Sequence, residues 1–120
     1  PFALLLFDLD RLKRVNDRHG HLVGSRALCR LADSMRQSSR TIDTPARLGG
    51  DEFALVLPET SVDNARQVAE RIRKRLATDQ EHPAVSASSG VSLYPDDGTT
   101  IEALLGAADR ALYKMKAETD

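Results

Sequence analysis

The sequence of 120 residues has one cysteine, no tryptophan, few aromatic side chains and no long apolar run. A single cysteine excludes an internal disulfide and fits a reducing compartment. Cys29 falls within an apolar helical pattern, which predicts a small buried side chain. No segment approaches the roughly 20 apolar residues of a membrane-spanning helix. The 17 basic and 18 acidic side chains nearly cancel, so we expect this domain to bind neither nucleic acid nor an anionic membrane.

The residues that are present suffice for one folded domain. Hydrophobic residues make up 41% of the chain and charged residues 29%, a balance typical of globular proteins. We therefore interpret residues 1–120 as a single domain. Because the chain opens directly on a strand-like run, we expect it to be a fragment of a longer protein.

The hydrophobic pattern predicts an α+β domain in the order βαββαβα. The predicted elements are a strand at 2–7, a helix at 26–38, strands at 44–48 and 53–57, a helix at 61–77, a strand at 85–93 and a last helix that carries Ile101 to Met115. Gly20 and Gly24 are assigned to a polar loop, and Thr99 with Glu102 to a capping box. The first strand is apolar on both faces, whereas the strand at 85–93 alternates and is expected to be half-buried. We expect the helices to pack on one side of the sheet.

The segment Gly49-Gly50-Asp51-Glu52-Phe53 carries most of the functional information. Two glycines allow a sharp turn and a close approach of a ligand to the backbone. Paired carboxylates at the start of an apolar strand suit a divalent cation that carries phosphate groups. An ordinary hairpin turn with a solvated acidic tip has the same pattern, so its function depends on further ligands elsewhere in the chain.

Asp8 and Leu9, at the end of the first strand, supply candidate ligands. If this strand pairs beside the hairpin, Asp8 and Asp51 lie at the same edge of the sheet. Two carboxylates and the intervening carbonyl of Leu9 then form an oxygen cage suited to Mg²⁺. Asp10 lies beyond the strand end, and we interpret it as structural rather than as a ligand.

The ordered motifs of the chain resemble those of the GGDEF family, the diguanylate cyclases. The blocks that carry the resemblance are Phe7-Asp8-Leu9-Asp10, Lys13-Arg14-Val15-Asn16-Asp17, Gly20-His21-Leu22-Val23-Gly24, Arg47-Leu48-Gly49-Gly50-Asp51-Glu52-Phe53, Ser89-Gly90-Val91 and Ala108-Asp109-Arg110-Ala111-Leu112-Tyr113-Lys114-Met115-Lys116. The resemblance implies a ferredoxin-like or palm-like βαββαβ cyclase fold with a central, mostly antiparallel sheet. It also implies a cytoplasmic bacterial domain, truncated at both ends, of a larger signalling protein that can itself be attached to a membrane.

The resemblance further implies a reaction and its residues. Two purine nucleoside triphosphates are condensed into a cyclic dinucleotide with release of pyrophosphate, and two domains must face each other, so we expect a homodimer. Two ions of Mg²⁺ or Mn²⁺ serve each nucleotide site. The implied roles are metal binding by Asp8, the Leu9 carbonyl and Asp51, generation of the attacking 3′-alkoxide by Glu52 together with Asp8 and Asp51, and substrate binding by Arg11, Leu12, Lys13, Gly49, Gly50 and Lys116. The family's Arg four positions after Lys116 is replaced by Asp120.

The choice of base depends on Asn16 and Ser25. Asn16 occupies the position at which the family reads the guanine edge, and Ser25 replaces the family's second guanine reader, an Asp. A Ser hydroxyl both donates and accepts, so it can serve either purine. Loss of a charge-assisted contact lowers guanine preference by about 1.5–3 kcal/mol. This predicts use of GTP and ATP, with 3′,3′-cyclic GMP-AMP formed besides cyclic di-GMP, as in the family's hybrid promiscuous branch.

Three alternatives remain open for Ser25 and for the chain as a whole. Ser25 can simply cap a helix that begins at Arg26. The chain can be a strict cyclic di-GMP synthase. It can also be a catalytically silent domain that binds GTP or cyclic di-GMP and regulates an attached module, although such domains usually lose an acid of the signature.

Arg40 and Asp43 form an Arg-x-x-Asp pattern upstream of Gly49. Such a pattern is usually an ion pair or a loop cap. At this offset it matches the family's inhibitory product site, in which Arg binds a guanine edge or a phosphate. Arg71, on the exposed face of the second predicted helix, is placed to contribute from a neighbouring domain.

Overall fold

A computed structural model describes residues 1–119, so the replacement at Asp120 lies outside the described residues. The elements are β1 (Phe2–Leu9), α1 (Leu12–His19), α2 (His21–Ser38), β2 (Thr44–Arg47), β3 (Glu52–Pro58), α3 (Val62–Ala77), β4 (Ala87–Tyr94) and α4 (Ile101–Thr119). The strand order is β2-β3-β1-β4, and each neighbouring pair is antiparallel. The predicted α+β class and antiparallel sheet are confirmed.

The central strand β1 is apolar on both faces because helices cover both. One face packs against α2 and α3 through a core that includes Ala3, Leu5, Phe7, Leu9, Leu31, Met35, Ile72 and Leu76. The other face packs against α4 through Leu4, Leu6, Ala54, Leu104, Ala108 and Leu112. The expectation that the helices pack on one side was therefore wrong. Burial of alternate β1 side chains in two separate cores fixes the register of the strand that carries Asp8.

The polar face of β4 is buried, which corrects the expectation of a half-buried strand. Ser88, Gly90 and Ser92 all lie beneath α4. A Cβ atom on Gly90 would lie 2.0 Å from the carbonyl oxygen of Ala108, and the hydroxyl of Ser92 donates to the carbonyl of Leu104 over 2.8 Å. Small residues at these positions therefore permit a close approach of helix and sheet rather than marking a solvent-exposed face.

The segment predicted as a polar loop contains α1 and the first turn of α2. Gly20, at φ 90°, separates the two helices. Gly24 is helical, and a Cβ atom there would lie 1.8 Å from the side-chain oxygen of Asn16. The sequence pattern missed α1 because the helix has only eight residues, and its two apolar residues, Leu12 and Val15, are only partly buried against the core. They give a short apolar stripe that is hard to detect.

Two local predictions were also wrong. Cys29 is exposed, because it lies beside the apolar stripe of α2 rather than in it. Thr100, not Thr99, caps this helix, since its hydroxyl accepts the Ala103 N–H over 3.1 Å. Within residues 1–119, no helix combines the length and apolar character that crossing a bilayer requires.

Candidate active site

The antiparallel pairing of β1 with β3 brings the predicted acids to one edge of the sheet. Asp8 lies opposite Glu52 in the register, and side chains directly opposite each other have Cβ atoms about 5 Å apart. Asp51 is exposed in the turn that precedes β3. The end of β1 and the start of the hairpin strand therefore lie together, as expected from the sequence.

The glycine turn is held by Arg47, which the sequence reasoning did not assign a role. The Arg47 side chain donates to the carbonyl of Gly49 over 3.1 Å and to that of Gly50 over 2.5 Å. Its guanidinium lies 5.7 Å from the centre of the Phe53 ring. A signal was present, because Arg47 belongs to the same block as the glycines. Arg47 orients the turn that presents Asp51 and Glu52.

Burial and mutual repulsion raise the pKa values of the acids at this edge. For Asp8 the largest effect is burial, which raises the pKa; Lys116 opposes it, and the charge of Asp51 adds to it. For Glu52 the pKa is raised by burial first, and then by the charges of Asp109 and Asp8. Asp109 lies on α4 and was not predicted as part of the site. The edge therefore has excess negative charge that an additional cation would stabilise.

Lys116 of α4 places a positive charge at this edge. Its Nζ donates to the Leu9 carbonyl over 3.0 Å and lies 3.4 Å from the Asp8 carboxylate. A cation thus contacts the same carboxylate and carbonyl that were predicted as metal ligands. Within residues 1–119, no three Asp, Glu, His or Cys side chains lie together as a metal-binding cluster; the oxygen donors beside Lys116 are the Asp8 carboxylate and the Leu9 carbonyl. Hard oxygen donors of this kind fit Mg²⁺ or Mn²⁺.

Asp10 is buried and fully engaged in the structure. Its two carboxylate oxygens accept the hydroxyls of Ser86 and Ser88, each over 2.6 Å. Its backbone N–H donates to the carbonyl of Ser86 over 2.9 Å. These bonds tie the end of β1 to β4, in keeping with the structural interpretation of Asp10.

The connection from β1 to α1 brings backbone N–H groups close to the acidic edge. Arg11 has a left-handed conformation with φ 55°, which turns the chain sharply into α1. Leu12 and Lys13 open this helix, so their N–H groups lack intrahelical acceptors and can bind an anion. Lys13 is exposed. The backbone N–H groups of residues 11–13 lie one to three residues after Asp10, which suits them to the predicted contact with a triphosphate.

Asn16 lies on α1 and Ser25 on α2. The two residues are close because the Asn16 side chain lies against Gly24, the residue before Ser25. The side-chain oxygen of Asn16 is buried and has no hydrogen-bond partner among residues 1–119. It faces Gly24, beside Ser25. The structure rules out the capping interpretation of Ser25, because α2 begins at His21 and Ser25 lies in its second turn. Ser25 is exposed and lines a groove of about 450 Å³ with Leu28, Cys29, Ala32, Arg47 and Phe53, among others.

The predicted inhibitory residues surround a separate cavity of about 240 Å³. Arg40 donates to the Asp43 carboxylate over 2.9 and 3.1 Å, and also to the Pro58 carbonyl and the Thr60 hydroxyl. Arg71 lines the same cavity within this one chain. Sequence reasoning did not identify Ser38, whose buried hydroxyl has no partner among residues 1–119 and which also lines the cavity.

Comparison with known proteins identifies the family of this fold and site. The diguanylate cyclase GGDEF domain family matches residues 1–120, and the chain belongs to this family. The bifunctional diguanylate cyclase/cyclic di-GMP phosphodiesterase MucR of Pseudomonas aeruginosa is 41% identical over 119 residues, which are 96% of this chain and 17% of MucR. This chain spans between 15% and 34% of the length of its curated relatives.

Solved structures show the same architecture. The GGDEF domain of PA1120 (YfiN or TpbB) from Pseudomonas aeruginosa has a TM-score of 0.90 at 37% identity, over 98% of this chain and 76% of that one. The GGDEF domain of DgcB from Caulobacter crescentus, determined in complex with c-di-GMP, has a TM-score of 0.87 at 27% identity, over 98% and 72%. The palm-like cyclase fold predicted from the sequence is confirmed.

Proposed function

We propose that this domain condenses two purine nucleoside triphosphates into a 3′,5′-linked cyclic dinucleotide. The observation that supports this most directly is the juxtaposition of Asp8, Asp51 and Glu52 at one sheet edge with Lys116 in contact with the Leu9 carbonyl. All three acids are retained, which argues against a catalytically silent nucleotide-binding domain.

The proposed reaction is a phosphoryl transfer. The 3′-oxygen of one nucleotide forms a bond to the α-phosphorus of the other, the bond from that phosphorus to the β-phosphate oxygen breaks, and pyrophosphate leaves. Two Mg²⁺ or Mn²⁺ ions per nucleotide site would polarise the phosphate oxygens and stabilise the developing charge. Asp8, Asp51 and the Leu9 carbonyl would hold them.

The remaining roles belong to the chain's own side chains and backbone. Glu52 would accept the proton of the 3′-hydroxyl, and its raised pKa makes it a stronger base than an ordinary Glu. Lys13, Lys116 and the N–H groups of Arg11 and Leu12 would bind the triphosphate, with Gly49 and Gly50 leaving room for it. Since one domain binds one nucleotide, we propose that two copies face each other as a homodimer, so that each nucleotide attacks the other.

The experiment that tests this is product analysis by mass spectrometry with GTP, ATP or both, in the presence of Mg²⁺. We expect cyclic dinucleotide and pyrophosphate from the dimeric protein, and a loss of at least about 100-fold with Glu52→Gln, the scale of a general base. Glu102→Gln, an exposed change on α4, is the matched control. Absence of product under all conditions would favour the silent-domain alternative.

We further propose that Ser25 relaxes the choice of base. Two observations support this: Ser25 is not needed as a helix cap, and the Asn16 side-chain oxygen beside Gly24 has no partner within the described residues. With both nucleotides present we expect cyclic GMP-AMP besides cyclic di-GMP. Ser25→Asp should shift the ratio of products toward cyclic di-GMP by roughly one to two powers of ten. Ser25→Ala removes the hydroxyl without adding a carboxylate, and so separates the effect of the hydroxyl from that of the added charge. Cyclic di-GMP alone from the unaltered protein would identify a strict synthase.

We also propose that the product binds the cavity lined by Arg40, Asp43 and Arg71 and slows turnover. The Asp43 side chain is only 1% exposed and already binds Arg40, so the pair is preorganised for a guanine edge or a phosphate. Because Arg40 also holds two other groups, Arg71→Ala is the cleaner variant, with Arg66→Ala on the same helix as control. If Arg40→Ala and Arg71→Ala leave both product affinity and inhibition unchanged, this site is not inhibitory.

A further inference from the structure

The ammonium of Lys116 lies among three oxygen-bearing groups at the end of β1. It is 3.0 Å from the Leu9 carbonyl oxygen, 3.4 Å from Asp8 Oδ2 and 3.8 Å from Asp10 Oδ1. The ammonium is therefore surrounded by oxygen atoms, as a bound cation would be. Lys116, which carries it, lies 107 positions further along the chain than Leu9. Two of these groups, Asp8 and the Leu9 carbonyl, are also the proposed ligands of the divalent ion.

The two carboxylates around Lys116 differ in how firmly they are held. Asp10 is held by the hydroxyls of Ser86 and Ser88, so it remains compensated when Lys116 leaves. Asp8 has no such hydroxyl partner, and among residues 1–119 its only ion pair is with Lys116. The Asp8 carboxylate is therefore the ligand that the ammonium and a metal ion would both require.

The Lys116 side chain is free to exchange this position for another. It lies in the last turn of α4, and 25% of it is exposed. A lysine side chain is flexible and carries a compact charge, so its ammonium can move into solvent or onto a phosphate without disturbing the helix. Neither core cluster includes Lys116.

We propose that Lys116 occupies the cation position of this site in the nucleotide-free protein and competes with the divalent ion for Asp8 and the Leu9 carbonyl. This inference rests on the proposed function, because that function supplies both the metal and the nucleotide. A metal ion arriving alone must displace the ammonium into solvent. A metal ion arriving with a triphosphate gives the displaced ammonium a new anionic partner. Metal and nucleotide should therefore raise each other's affinity, and the metal alone should bind weakly.

Chemical labelling of lysines in the unaltered protein tests the displacement directly. The protein is treated with an amine-reactive ester with and without a saturating concentration of Mn²⁺, in the absence of nucleotide, and modification is quantified by mass spectrometry. We expect labelling of Lys116 to rise several-fold with Mn²⁺, while labelling of Lys114, exposed on the same helix, stays constant. Unchanged labelling of Lys116 with Mn²⁺ bound would overturn the inference.

Metal affinity provides the second test. Without nucleotide, Lys116→Met should bind Mn²⁺ at least about fivefold more tightly than the unaltered protein, the lower end of common coupling between two ligands. Lys114→Met should not change the affinity. A non-hydrolysable GTP analogue should strengthen Mn²⁺ binding much more in the unaltered protein than in Lys116→Met, because only the former has an ammonium to transfer to the phosphates.

The two ways of failing are distinguishable. If Mn²⁺ binds with the analogue, but Lys116→Met binds it no more tightly than the unaltered protein, Lys116 is only a clamp for Asp8 and the proposed function stands. If no protein binds Mn²⁺ even with the analogue, both the inference and the metal-dependent function are wrong. Thermal unfolding of each variant confirms that the comparison is made on folded protein.

Discussion

The cationic side chains of Arg30 and Lys116 both lie against carboxylates, and they do so in opposite ways. Arg30 of α2 has a side chain only 3% exposed; it binds both oxygens of Asp79 and the Pro83 carbonyl, each over 2.7 Å. Lys116 lies 3.4 Å from Asp8, and the negative charges of Asp51 and Asp10 act on the same carboxyl group. Arg30 therefore makes two short hydrogen bonds to one carboxylate, whereas Lys116 makes a single, longer contact with Asp8.

The pKa values of the two aspartates show the same difference. Arg30, through its hydrogen bonds, lowers the pKa of Asp79. The pKa of Asp8 is raised because burial outweighs the contribution of Lys116. A carboxylate that is satisfied internally stabilises the fold, whereas one that is left under-compensated is ready for a ligand at a cost in stability. We therefore regard Arg30 as structural, joining α2 to the segment between α3 and β4, and Asp8 as functional.

Breaking the Arg30 pair should have the largest effect on stability. Arg30→Met removes the guanidinium that binds the Asp79 carboxylate and the Pro83 carbonyl, and we expect a loss of about 3 kcal/mol in the free energy of unfolding. Urea denaturation measures it. Arg36→Met is the matched control on the same helix, because Arg36 is exposed and pairs with Asp33 at the surface; its cost should stay below about 1 kcal/mol. Equal costs for the two variants would contradict the distinction.

Acid should weaken the Arg30 pair in a defined pH range. The folded-state pKa of Asp79 lies below its ordinary value of 3.8. The stabilisation that ionised Asp79 gives is therefore fully present above the pKa of the unfolded state. It is lost as pH falls through the lower pKa of the folded state. The free energy of unfolding, measured from neutral pH downward, should therefore decrease below pH 3.8 as Asp79 becomes protonated. Asp79→Asn should remove that part of the pH dependence; an identical profile would contradict the assignment.

Ionised Asp8 should change the free energy of unfolding in the opposite direction to Asp79, and by a smaller amount. Because its folded-state pKa is raised, ionised Asp8 destabilises the metal-free fold above that pKa, and the penalty disappears as pH falls through it. Asp8→Asn should therefore leave the protein as stable as before or stabilise it by up to about 1 kcal/mol at neutral pH, while abolishing cyclic dinucleotide formation. A clear destabilisation, measured by urea denaturation without metal, would show that Asp8 is structural like Asp79.

Much of the fold and of the acidic edge could be predicted from local patterns. The apolar run before Asp8 and the glycine turn before Glu52 indicated two strands, and pairing them brought the acids together. Burial on the second face of the sheet could not be predicted, since Ser88 and Ser92 look like solvent-facing residues until α4 packs on them. The short helix α1 was missed because its only apolar residues, Leu12 and Val15, are partly buried and form a short stripe.

The sequence by itself determined the family and the chemistry of the acids, because these depend on the order of residues along short segments. Only the tertiary structure decided which of these groups are satisfied. It placed Lys116 of α4 against the Leu9 carbonyl and Asp109 beside Glu52, and it put Ser25 inside a helix rather than at its start. The physical reason is that charge compensation and burial depend on distances between elements, which the register of β1 and the packing of α4 fix and which no local pattern contains.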